Sequence, residues 1–166
     1  MIFAKIANYT DIPYDPTLKP EDWCNNQPCV EIGDTILSQP LSTVIVYLTA
    51  IITIWVGIQF LRNRKNEQSR FYMGLAFLLV GIGAALAGTS YQAFGYELKC
   101  RNREFCMWTS WWEIAYMATT VAGVSALFVG ISYVFNPENK RTFSKIYGLV
   151  STVAYLVILA IGSILP

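Results

Sequence analysis

Residues 71–96 read FYMGLAFLLVGIGAALAGTSYQAFGY, twenty-six consecutive positions without a charge. A helix rises about 1.5 Å per residue, so about 20 apolar residues cross the roughly 30 Å hydrocarbon core of a bilayer. Three more charge-free runs flank this one, at 41–61, 114–135 and 146–166. With their interfacial residues, the expected spans are about 41–61, 71–96, 110–135 and 143–165. A water-soluble domain built from four such runs would have almost no polar surface left. The expected fold is an all-alpha integral membrane protein: a four-transmembrane-helix bundle at 41–166 behind an outer polar segment at 1–40.

Of the 166 residues, 54% are hydrophobic and 14% charged, with a formal net charge of +1. That balance produces no strong field toward polyanions. There is no zinc-finger spacing, basic helix or arginine-rich arm, so nucleic acid is not an expected partner. The apolar run near the amino terminus, 1–7, contains Lys5 and is too short for a secretory signal core. The first long run is therefore expected to stay as span one. Asn8-Tyr9-Thr10 is a glycosylation sequon in the expected outer segment.

The connecting segments are charged asymmetrically. Residues 1–40 carry two lysines against six acids, while 62–70 carry four basic residues against Glu67. Residues 95–107 hold three basic residues and two acids, and 136–145 hold three basic residues and Glu138. Basic residues in short loops favour the cytoplasmic side. This predicts both termini on the non-cytoplasmic side, in a plasma or secretory-pathway membrane. The cysteines fit that orientation. Cys24 and Cys29 lie in the amino-terminal segment, Cys100 and Cys106 in the loop between spans two and three. All four fall on one side of the membrane, in a small cap able to form two disulfides. Spacing leaves three pairings open. The cysteine gaps and the absence of histidine oppose zinc, and no metal or cofactor is expected.

Ser38 is placed to cap span one, with Pro40 in its first turn. In span two, Gly74, Gly81, Gly88 and Gly95 recur every seven residues, nearly two helical turns, and so form one narrow stripe. Lipid tails supply no hydrophobic force between helices, so small residues that admit close packing mark seams. Span three carries Ala118, Ala122, Ala126 and Gly130 at four-residue spacing. Spans two and three are expected to be antiparallel neighbours.

The chemically suggestive region joins these two spans. Ser90, Tyr91, Gln92 and Tyr96 approach the outer level from span two; Trp108, Trp111, Trp112, Glu113 and Tyr116 approach it from span three. The aromatic residues suit a headgroup belt, with an apolar ring and a polar handle. A carboxylate at the hydrocarbon edge is costly unless it faces water, headgroups or the bundle. Glu113 is expected to accept hydrogen bonds from Ser90 or Gln92, or to help line a ligand or partner pocket.

No catalytic residue stands out. With no histidine there is no histidine-based acid–base site or axial haem ligand. There is no serine elbow, and Gly81-Ile82-Gly83 lacks the strand-to-helix setting of a nucleotide loop. The spans carry no charged ladder or filter repeat of the kind that marks a channel. The expected function is an accessory, anchoring or assembly subunit of a membrane complex, with membrane lipids and other membrane subunits, or further copies of itself, as partners. An oligomeric channel or transporter component and a lipid-headgroup binding protein are the alternatives. The four-span layout with paired outer cysteines resembles tetraspan proteins in topology. The Cys-Cys-Gly of tetraspanins and the Trp–Leu-Trp–Cys–Cys pattern of claudins are absent, so the resemblance assigns no residue a role.

Overall fold

A computed structural model of the chain describes residues 17–25 and 27–164. The glycosylation sequon and the first prolines lie outside the described residues. A short 3-10 turn, Pro20–Asn25, leads to a two-stranded hairpin of β1 (Cys29–Ile32) and β2 (Thr35–Ser38). The strands are antiparallel, with Cys29 opposite Ser38 and Ile32 opposite Thr35. Gly33 makes the turn at φ 61°, a left-handed conformation that costs glycine little.

The long helices are α1 (Pro40–Arg62) and α2 (Gln68–Ala87), the latter continuing as a π-helical turn over Gly88–Ala93. A five-residue helix α3 (Gly95–Lys99) follows, then α4 (Trp111–Phe135) and α5 (Glu138–Ile164). Four helices are long and apolar enough to cross a membrane: Pro40–Arg62, Gln68–Ala93, Trp111–Phe135 and Lys140–Gly162.

These helices form an open row. α1 packs on α2, α2 on α4 and α4 on α5. Among the described residues the outer helices α1 and α5 make no comparable contact of the kind that closes a bundle. Small residues explain the two inner contacts. On one face of α2, a Cβ at Gly74 would lie 2.8 Å from Leu61 Cγ of α1, and one at Gly81 would lie 2.6 Å from Ile54 Cγ1. Gly88 abuts Val46, and on α1 Gly57 meets the Gly74 carbonyl. The opposite face of α2 meets α4, where Gly83 lies against Thr119 and Thr120, Gly123 against Val80 and Gly130 against Met73. Close backbone approach of this kind is what drives association in an apolar medium.

Three details differ from the sequence reading. Ser38 does not cap α1: its hydroxyl accepts a hydrogen bond from Trp23 Nε1 at 3.1 Å, and the cap position falls to Gln39 in a left-handed conformation. Span two is not one regular helix to residue 96. The π turn, with its wider i→i+5 pitch, takes Gly95 off the stripe. Gly95 instead lies under the Trp23 ring, where a Cβ would come within 2.9 Å of Cζ2. Of the α4 stripe, Gly130 meets α2 as expected, beside Gly123, whereas Ala122 and Ala126 line a groove between α2, α4 and α5.

Candidate functional site

The hairpin and residues 94–110 build one cap at the end of the row. Cys24 pairs with Cys29 and Cys100 with Cys106, so both disulfides are local; Cys100 and Cys106 are fully buried. Two backbone hydrogen bonds tie this loop down: Cys106 N–H donates to the Leu18 carbonyl at 3.0 Å, and Met107 N–H to the Lys99 carbonyl at 2.9 Å. Glu97 joins loop to hairpin. Its Oε1 accepts the Ile36 amide at 2.9 Å, and its Oε2 takes the Arg101 guanidinium at 2.6 Å. Burial pushes the Glu97 carboxyl up, but the Ile36 amide and the Arg101 charge together outweigh it and hold the carboxyl below its usual range.

Beneath the cap sits a buried ion pair. Lys99 Nζ meets Glu113 Oε1, with the two side chains 8% and 3% exposed. Thr109 donates its hydroxyl to Glu113 Oε2 at 2.8 Å, so both carboxylate oxygens are engaged. The Lys99 ammonium also lies 5.0 Å from the Tyr91 ring centroid, a cation–π contact. Local sequence puts Glu113 here. Ser110 is the N-cap of α4 and its side chain accepts the Glu113 amide. Ser110-Trp111-Trp112-Glu113 thus has the S-x-x-E spacing of a capping box. The Glu113 carboxylate is turned away from the helix end toward Lys99.

A cleft of about 510 Å³ opens beside this pair between the start of α4 and the end of α5. Glu113, Thr109, Trp108 and Tyr91 form its polar end; Met117, Tyr155, Ile158 and Leu159 form its apolar length. The shape and lining suit an amphiphile with its head at the cap and its chain along the helices.

The cleft gathers only some of the residues singled out from sequence. Tyr91, Trp108 and Glu113 line it. Tyr116 makes an edge-on contact with Tyr91 at 6.3 Å. Trp111 and Trp112 are exposed on the first turn of α4, and Trp108 is 68% exposed. Tyr96 faces a separate shallow hollow with Lys19 and Phe105. The Ser90 hydroxyl and Gln92 Oε1 are buried without a hydrogen-bond partner and do not reach Glu113, whose partners are Lys99 and Thr109. Sequence alone singles out neither Lys99 nor Thr109 as a partner of Glu113. A hydrocarbon-edge carboxylate requires a counter-charge, but Lys99, Arg101 and Arg103 all stood in the loop as candidates.

Comparison with protein-family models, curated proteins and solved structures finds no match to this chain.

Proposed function

We propose that this chain is a multi-pass membrane protein serving as an anchoring or assembly subunit of a membrane complex, its disulfide-bearing cap on the non-cytoplasmic side. The observation that carries the reading is the open row. In the outer spans only 11% and 6% of the most apolar window is buried, against 28% and 22% in the two middle ones. Each edge helix packs mainly on one neighbour, so further helices can add at either edge without disturbing the internal seams. The orientation is supported by charge. The face away from the cap carries Arg62, Arg64, Lys65, Arg70, Lys140, Arg141 and Lys145, and positive residues favour the cytoplasm. Purification in mild detergent followed by cross-linking mass spectrometry tests the assignment. Reproducible cross-links from α1 or α5 to another membrane chain, or to a second copy, are expected. A monomer without cross-links overturns it.

The cleft beside Glu113 favours a second reading, amphiphile binding at the capped end. There Glu113→Gln should reduce the amount of co-purifying lipid. Unchanged lipid content would remove this reading.

A further inference from the structure

The end of the row opposite the cap holds a second groove, of about 380 Å³. It lies where α2 and α5 both pack on α4 and, among the described residues, make no comparable contact with each other. α4 supplies the floor with Ala122, Ser125 and Val129, while Tyr72 of α2 and Lys145 and Thr152 of α5 stand on its walls. From Lys145 to Thr152 the wall runs about 10 Å along the helix axis. The lining between the helices is mostly apolar. The Thr152 hydroxyl lies 2.7 Å from Ser125 Oγ and 2.8 Å from the Gly148 carbonyl, so its single proton is used within the fold.

The mouth is cationic. Lys145 Nζ lies 5.1 Å from the Tyr133 ring centroid, and Arg141 Cζ lies 5.3 Å from it, one helical turn earlier. Tyr133 in turn stacks on Tyr72 at 5.7 Å. Lys145 lines the groove, while Arg141 stands one turn before it, its guanidinium by Tyr133 and its Nε donating to the Asn136 carbonyl at 3.2 Å. Among the described residues neither cation forms an ion pair with a carboxylate, whereas nearby Arg70 is matched by Glu67 at 2.6 Å. An apolar slot that ends at two unneutralised cations has the charge and polarity pattern of an anionic phospholipid.

We infer that this groove binds one anionic phospholipid, its phosphate between Arg141 and Lys145 and an acyl chain along Ala122 and Ser125. The inference rests on the membrane reading above but not on the subunit reading. Dispersion contacts hold the chain no better in the groove than in the bilayer, so selectivity comes from the headgroup charge.

The test is native mass spectrometry of the full chain with added dioleoyl phosphatidylglycerol or dioleoyl phosphatidylcholine, which share acyl chains and differ in net charge. One bound phosphatidylglycerol is expected, with a preference over phosphatidylcholine that falls about five-fold for each cation removed in Arg141→Gln and Lys145→Gln. The charge-keeping pair Arg141→Lys and Lys145→Arg should retain the preference, which separates charge from folding. Ala122→Phe should fill the floor and weaken binding of both lipids, and excess inorganic phosphate should not displace phosphatidylglycerol. Equal binding of the two lipids by the unaltered chain, or an undiminished preference in the double glutamine variant, overturns the site. Displacement by inorganic phosphate would instead make it a free-anion site and overturn the lipid assignment. Alkaline carbonate extraction tests the membrane reading separately, since release of the intact chain would sink that reading whichever lipid is preferred.

Discussion

Lys99 and Glu113 are fourteen positions apart in sequence, yet their charged ends meet in a pocket that excludes nearly all solvent. Nothing in α4 alone holds the carboxylate there. The ammonium arrives on α3, at the neck of a loop closed by Cys100 and Cys106. The ion pair is therefore one point at which the cap is fastened to the helical row.

Removing one partner leaves the other charge buried and alone. Lys99→Met or Glu113→Gln should each destabilise the chain by about 3–5 kcal/mol, the Glu113 change at the lower end because a glutamine amide oxygen can still accept from the Lys99 ammonium. The combined Lys99→Met, Glu113→Gln variant, which leaves no buried charge, should recover most of that loss. Thermal unfolding in a single detergent measures all three. Additive losses in the double variant would mean that the two residues are not coupled.

At Gly81 a new side chain has nowhere to go. Its Cβ would lie 2.6 Å from Ile54 Cγ1 and 3.0 Å from the Ile54 backbone nitrogen. Gly81→Leu should separate α1 from α2 and lower the unfolding temperature, whereas Gly162→Leu, with nothing within 4 Å, should leave it unchanged. Engineered cysteine cross-linking between α1 and α2 reports the separation directly.

Glu97 makes the hairpin contact sensitive to acid. Its carboxyl lies below the ordinary value of 4.5 in the folded chain, so the folded state favours the ionised form. The stabilisation is complete above about pH 4.5 and is lost as the pH falls through the lower folded-state value. The protection factor of the Ile36 amide, corrected for the intrinsic pH dependence of exchange, should fall in that acid range. Glu97→Gln should weaken protection already at neutral pH and flatten the acid dependence; an Ile36 amide with equal protection at pH 3 and pH 7 would contradict the role given to Glu97.

The two disulfides should differ in consequence. Cys100–Cys106 is fully buried and adjoins Lys99, whereas Cys24 is exposed. Replacing Cys100 and Cys106 with serine should cost about 2 kcal/mol from the unconstrained loop alone, with a further loss as Lys99 loosens. Replacing Cys24 and Cys29 should cost less overall. Non-reducing peptide maps should show both local pairs, and a Cys24–Cys100 link would contradict the cap described here.

Part of the site is readable from the sequence alone. Glu113 stood out because a carboxylate at the head of an uncharged run must find a partner or water. Its partner was not readable, since the loop offers three cations at alternate positions and only the fold of α3 selects Lys99. The seven-residue spacing of Gly74, Gly81 and Gly88 was equally plain, but it could not say which helix they face. Gly95 kept the spacing and lost the phase, because one π turn rotates everything after it. Arg141 and Lys145 read only as interfacial positive charge. Their relation to a groove depends on α2 and α5 standing apart.

Four runs long and apolar enough to cross a bilayer are a property of the chain itself, since hydropathy and helix rise are local quantities summed along the sequence. The order of the helices, the choice of Lys99 and the groove at Tyr72 and Lys145 are set by which faces approach. That depends on a few tenths of an ångström at positions such as Gly81 and Gly123, and on the phase of a single π turn. Such contacts join residues far apart in the chain, and no local pattern encodes them.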